Sequence, residues 1–208
     1  MKNFNVITHP LIQHKIGRLR DKNTLTPEFR LLIKELSVLL AFEATRDLEL
    51  VDTQIDTPMA STTVKKIAER PTLVSIMRAG NGMLDALLDI LPNCSAGHIG
   101  IYRDKFIKNT VEYYFKIPEN SKGKIIILLD PLLATGDTMI AALDRLKQYQ
   151  VGKIKIINMI SYEKGVQRVL HFHPDVEIFT AASEKEIDDN GYLMPGVGDA
   201  GDRLFGTK

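Results

Sequence analysis

The sequence predicts an α/β fold, with a mostly parallel central sheet flanked by helices. Three observations carry that prediction. From Pro71 onward, strand-like and helix-like segments alternate. Ile125-Ile126-Ile127-Leu128-Leu129 is a continuous branched apolar run, the pattern of a strand buried on both faces. A helical segment, residues 138–149, then separates it from a second apolar run at 154–160. Together these make a βαβ unit, whose parallel strands require such a crossover.

Taken in order, residues 1–23 mix basic and apolar positions around His9-Pro10 and read as an arm or short helix lying on the body. Thr26-Pro27-Glu28 starts a helix, with Thr26 as cap and Pro27 at the first helical position. Phe29, Leu32, Leu36 and Leu40 continue it at spacings of three and four, to about Leu48, as a core-packing face. Residues 73–77 read as a strand, 78–82 as a glycine-bearing turn and 83–91 as a helix. A short strand at 99–102 follows, then polar residues and a strand-like stretch at 111–115, an excursion or hairpin arm over the sheet. Gly152 ends the helix of the βαβ unit; a further helix (165–172) and strand (176–180) continue the alternation.

At 208 residues the chain is long enough for one sizeable core. The expected organisation is a single domain, 1–208, with an N-terminal arm of about 1–25 and a C-terminal binding loop of about 184–208. Lys and Arg number 27 and Asp and Glu 26, a net charge of +1, so no global field draws the chain to nucleic acid or an anionic membrane. A polyanionic ligand must be held by a local set of donors. The single cysteine, Cys94, makes no intrachain disulfide. Without an apolar signal core or a bilayer-length run, the expected location is cytoplasmic.

In parallel sheets ligands bind beyond the carboxyl ends of the strands. Beyond Leu129 stand Asp130, Pro131, Leu132, Leu133, Ala134, Thr135, Gly136, Asp137 and Thr138, then a helix. A carboxylate at 130 could accept hydrogen bonds from sugar hydroxyls or hold a hydrated Mg²⁺. Hydroxyls, a glycine and successive amides at a helix start form a phosphate cradle. The other open reading is a plain capped turn. Arg78-Ala79-Gly80-Asn81-Gly82 offers an arginine fork and close backbone approach, or simply a solvated arginine. Tyr102-Arg103-Asp104 offers a second arginine at a strand end, or a surface ion pair. The C-terminal Gly196-Val197-Gly198-Asp199-Ala200-Gly201 matches G-x-G-x-x-G literally, but lacks the later acid of a dinucleotide fingerprint. With Tyr192 and Phe205 around it, it reads as a held loop whose backbone edge can pair with a flat ring. His171 and His173 have no partner cluster for zinc. No G-x-S-x-G elbow and no Walker loop occurs.

These residues, in this order, resemble the bacterial salvage type of uracil phosphoribosyltransferase. The matching pieces are Arg78-Ala79-Gly80, Tyr102-Arg103, Asp130-Pro131 with Ala134-Thr135-Gly136, and Tyr192 through Asp202. His9-Pro10-Leu11, Phe42-Glu43-Ala44-Thr45 and Phe205-Gly206-Thr207-Lys208 extend the likeness nearly end to end. The resemblance implies that residues 130–138 grip the ribose and 5′-phosphate of phosphoribosyl diphosphate (PRPP). It implies that Arg78 and Arg103 hold the diphosphate with Asp199 beside it, and that Leu193, Gly198, Asp199 and Ala200 read uracil, mainly through backbone groups. Arg78, Arg103, Asp130 and Asp199 would be the catalytic set. Mg²⁺ would be carried mainly by the substrate rather than by protein side chains. The implied products are UMP and diphosphate, through a ribosyl-cation-like transition state that needs no covalent nucleophile. The resemblance also implies a homodimer or higher homo-oligomer; some relatives are activated by GTP, which stays open here.

The chain departs from the family pattern at three places. Thr135-Gly136-Asp137-Thr138 stands where the family usually has Thr-Gly-Gly-Ser, so an acid sits beside the phosphate site and should repel unless turned outward. Asn81 replaces an apolar residue, and Lys105 to Glu112 lacks the prolines of the family's arm. Two other functions use the same scaffold: an RNA-binding regulator, which a salt-dependent RNA shift would reveal, and a sister transferase for another nucleobase.

Overall fold

The computed structural model describes residues 1–103 and 110–207, the Arg103 side chain excepted. Its central sheet is built from β1 (Phe4–Val6), β4 (Thr72–Met77), β5 (Ser95–Arg103), β6 (Thr110–Lys116), β7 (Ile126–Leu129), β8 (Leu132–Leu133), β9 (Ile154–Tyr162) and β10 (Glu177–Glu184). The strand order is β1-β10-β9-β7-β4-β5-β6, with β8 added beside the far end of β9. Every pairing is parallel except β5 with β6. All four residues of β7 are buried, as the apolar run at 125–129 predicts.

Alternation along the strands assigns the two layers. Ile127 and Leu129 point to the side covered by α1 (Pro10–Arg20), α2 (Thr26–Ala44) and α3 (Asn81–Ile90). Ile126 and Leu128 point to α4 (Asp137–Gln148) and α5 (Glu163–Phe172). The sheet therefore has a separate apolar core on each face, and each helix buries one stripe against it.

Several expectations need correction. Thr26 is not the cap of α2: Leu25 takes that position without a side-chain bond, and Thr26 and Pro27 lie in the first turn, where the missing proline N–H costs nothing. The helix stops at Ala44, short of Leu48. The N-terminal segment is more than an arm, because β1 pairs with β10 as the sheet's edge strand. The stretch at 111–115 does not pass over the sheet; it is β6, which extends it by an antiparallel pairing to β5. The hairpin that stands apart from the main sheet comes earlier: β2 (Leu50–Asp56) and β3 (Ser61–Ile67) pair only with each other. Its residues are polar on most positions and nearly all exposed, so no apolar period marked it. Of the stretch 105–112 compared with the family's arm, residues 105–109 lie outside the described residues. The C-terminal segment carries β11 (Glu186–Ile187) paired with β12 (Leu193–Met194), then α6 (Ala200–Phe205). The glycine string thus does lie between a strand, β12, and a helix, but that helix, α6, is only six residues long.

Candidate functional site

The strand order locates the site. The connection through α3 carries the chain from β4 outward to β5, whereas α4 carries it from β7 the other way, to β9. The crevice where crossovers diverge lies at the carboxyl ends of β4 and β7, the place where open α/β sheets bind ligands. The turn after β4 holds Arg78, and the segment after β7 holds residues 130–138. β5 ends beside them at Arg103, whose side chain is outside the described residues.

The β4 turn fits because of Gly80. A Cβ there would lie 2.4 Å from the Leu129 carbonyl oxygen and 2.6 Å from that of Ile76, so only glycine lets this turn press on the end of β7. Asn81 has a structural reason: its Oδ1 accepts a 2.7 Å hydrogen bond from the hydroxyl of buried Ser75. Arg78 projects across the mouth, with its guanidinium 3.4 Å from Asp202 Oδ1 and 5.9 Å from the centre of the Phe205 ring. A Cβ on Gly201 would meet that guanidinium at 3.4 Å.

Beyond β7 the chain is not a free loop. Asn158 donates to the Asp130 carbonyl at 2.6 Å, and the Pro131 carbonyl accepts from Met159 and Ile160 at 2.8 and 3.2 Å. Leu132 and Leu133 form β8 against Ile160 and Ser161. Pro131 and Leu133 are buried, so they offer a ligand backbone groups rather than side chains. Ala134, Thr135 and Thr138 are partly open. Gly136, at φ 87°, takes the left-handed cap position before α4, a conformation glycine adopts without strain. α4 therefore starts at Asp137, just beyond the end of β7, and the dipole at a helix start favours an anion. Burial pushes the Asp130 carboxyl up to about 7, while a hydrogen bond from the Leu132 N–H pulls it down.

The acid expected to repel a phosphate is held by neighbours. Asp137 Oδ1 lies 2.5 Å from Arg168, and its Oδ2 accepts a 2.9 Å bond from the Thr135 hydroxyl.

The C-terminal loop is tied in place by residues that the motifs did not reveal. Arg203 donates to the carbonyls of Leu19 and Asp21 at 2.7 Å, Val197 at 3.0 Å and Thr24 at 3.3 Å, and stacks 4.3 Å over Phe29. Arg20 donates to the Gly196 carbonyl at 3.0 Å and pairs with Glu184. These partners lie more than 160 residues apart in sequence for Arg20 to Glu184, so no local pattern could announce them. Gly196 and Gly198 adopt φ of 57° and 74°. The side chains of Leu193 and Ala200 are buried. A cavity of about 300 Å³ opens here, lined by Tyr192, Gly198, Asp199, Asp202 and Arg203. Asp199 has a role that the glycine string hid: its carboxylate caps α6, accepting from the Asp202 N–H at 2.9 Å.

The structure thus brings three of the sequence's candidate segments to one mouth. The Arg78 turn touches β7 on one side and α6 on the other.

Comparison with known proteins shows the family of the chain. The family model described as uracil phosphoribosyltransferase matches residues 6–207. Curated proteins named uracil phosphoribosyltransferase from Polaromonas naphthalenivorans and Acidovorax ebreus are 48% and 50% identical over 209 residues, covering all of both chains. A solved structure, the AQ2163 protein of Aquifex aeolicus, superposes with a TM-score of 0.93 at 34% identity, covering 97% of each chain. An adenine phosphoribosyltransferase from Trypanosoma brucei shares the fold, with a TM-score of 0.61 at 13% identity over 96% of this chain and 89% of its own. Matched along nearly its whole length, the chain belongs to the uracil phosphoribosyltransferase family.

Proposed function

We propose that the chain transfers the phosphoribosyl group of PRPP to N1 of uracil, giving UMP and diphosphate, with residues 1–208 acting as one domain. The observation that carries this reading is the reach of the Arg78 turn: Gly80 presses on the end of β7, just before residues 130–138, and Arg78 reaches Asp202, which lines the C-terminal cavity.

Residues divide the work by chemistry. The amides and hydroxyls at 135–138 receive the 5′-phosphate, and Asp130 accepts from the ribose hydroxyls. Arg78, with Arg103 at the neighbouring strand end, takes the diphosphate through fork-shaped donors. The flat base enters the C-terminal cavity, where backbone groups around Leu193, Gly198 and Ala200 meet its donors and acceptors. Asp199 bounds that cavity and fixes the first turn of α6 beneath it. In the reaction the C1′–oxygen bond to diphosphate breaks, with the bonding pair leaving on the diphosphate, the N1–C1′ bond forms and the N1 proton passes to water. Positive charge develops on the ribose, and the arginines stabilise the departing diphosphate. No nucleophile–base pair is needed.

The site's donors suit Mg²⁺, which prefers oxygen ligands and binds through one or two carboxylates together with substrate phosphates. Asp130 offers such a carboxylate in the crevice, and the described residues contain no cluster of three or more metal-ligating side chains that would form a protein-only cage. Mg²⁺, when bound, supplies charge neutralisation at the diphosphate. Among the described residues no helix is long and apolar enough to cross a membrane. A homo-oligomer and activation by GTP belong to the same proposal, drawn from the family likeness.

Incubating the protein with labelled uracil, PRPP and Mg²⁺ should yield UMP, and unlabelled uracil should compete better than any other nucleobase. A folded sample that makes no UMP overturns the reading; preference for another base replaces uracil.

A further inference from the structure

We propose that Arg168 is a positioning residue for the sugar phosphate, acting through Asp137. The inference rests on reading the start of α4 as the phosphate cradle. Asp137 is the first residue of that helix, so its carboxylate occupies the end where the helix dipole attracts an anion. A phosphate brought to the same place meets a fixed negative charge. Arg168 answers that charge from another helix. It sits on α5, its guanidinium lies 2.5 Å from Asp137 Oδ1, and it donates to the Thr135 carbonyl at 3.3 Å. The Thr135 hydroxyl closes the triangle by donating to Asp137 Oδ2 at 2.9 Å.

α5 can deliver this arginine because it packs directly under the loop. A Cβ on Gly165 would lie 1.8 Å from the Ala134 carbonyl oxygen, and one on Gly136 would lie 3.1 Å from the Gly165 carbonyl oxygen. The ion pair and the backbone contact together hold residues 134–137 from one side, leaving the amides to face the ligand. Arg168 thus offsets the acid and fixes its direction. It is not required to touch the phosphate.

A double-mutant cycle tests the coupling. Arg168→Gln should raise the KM for PRPP about tenfold while leaving the KM for uracil in place. Arg168→Lys should recover part of that loss. In an Asp137→Asn background the same Arg168→Gln change should cost no more than about threefold. Isothermal titration with ribose 5-phosphate should show the same pattern in Kd, and does not depend on turnover. Equal losses in both backgrounds overturn the proposal, because Arg168 would then act on the ligand or on packing without Asp137. Unchanged PRPP and ribose 5-phosphate binding in Arg168→Gln also overturns it. Wild-type protein that binds ribose 5-phosphate but makes no UMP counts against the transferase reading and not against this pair.

Discussion

Replacing Gly165 with alanine tests whether α5 shapes the phosphate site by close backbone packing. Two effects oppose each other. Alanine favours a helix over glycine by roughly 0.5–1 kcal/mol, which alone would stabilise the protein. The added methyl, however, would stand 1.8 Å from the Ala134 carbonyl oxygen, where ordinary contact starts at 3.4 Å. The loop and helix must therefore part by about 1.6 Å, and the obstacle is backbone, which cannot rotate away. Overpacking of this kind costs about 1–3 kcal/mol. Against backbone at 1.8 Å the upper part of that range applies, so the steric effect wins by about 1–2 kcal/mol and Tm should fall by roughly 2–8 °C for a domain of this size. The functional loss should be larger, because a displacement of about 1 Å in a positioning loop can cost ~10²-fold in rate. Initial rates should show that loss in kcat/KM for PRPP, with the uracil KM nearly unchanged, since the C-terminal cavity is held by other residues. Gly17→Ala is the control: that glycine lies on the exposed side of α1 with nothing within 4 Å of its Cβ position, so the variant should be neutral or slightly more stable. A Gly165→Ala protein as stable and as active as wild type would refute the packing argument.

Other expectations follow from the same contacts. Asp130→Asn should lose most activity, since the amide presents a donor where the ribose needs an acceptor. Its stability should also respond to pH. Burial raises the Asp130 carboxyl from 3.8 to about 7, so folding favours its protonated form. That contribution is complete below about pH 4 and disappears as pH rises through about 7, which makes the ligand-free variant the more stable protein at pH 8 by roughly 2–4 kcal/mol. Chemical denaturation across that range checks it, and parallel curves for both proteins would disprove it. Arg203→Met removes charged donors from the carbonyls of Leu19, Asp21, Thr24 and Val197 and should cost roughly 2–3 kcal/mol. It should raise the uracil KM more than the PRPP KM, and Arg203→Lys should rescue it poorly because an ammonium lacks the fork; an unmoved uracil KM contradicts the tether. A hydrogen bond from buried Lys155 holds the Asp47 carboxyl below 3.8, so its stabilisation is present above that pH and fades as acid protonates it. Asp47→Asn should accordingly flatten the acid limb of the stability curve below about pH 4, and an acid limb as steep as the wild type's would argue against the pair.

The central strands were legible because their burial is written in composition. A branched apolar run such as 125–129 has one comfortable setting, a strand covered on both faces, and it became β7 with all four of its residues buried. The hairpin β2–β3 was illegible for the converse reason: none of its residues is buried and most are polar, so its pairing leaves no apolar period. The candidate site divides similarly. Asp130, Thr135, Gly136 and Arg78 could be singled out, since a strand end followed by glycine and a helix start is a local arrangement with a local use.

The sequence by itself determined the βαβ alternation and the family, since both are carried by residue patterns along the chain. Only the tertiary structure decided that α5 packs against residues 134–136, that Arg168 pairs with Asp137 and that Arg203 ties the tail to Leu19, Asp21 and Thr24. Those contacts join segments that are remote in sequence. Their energy depends on distance in space, which hydrophobic period and motif spacing do not encode.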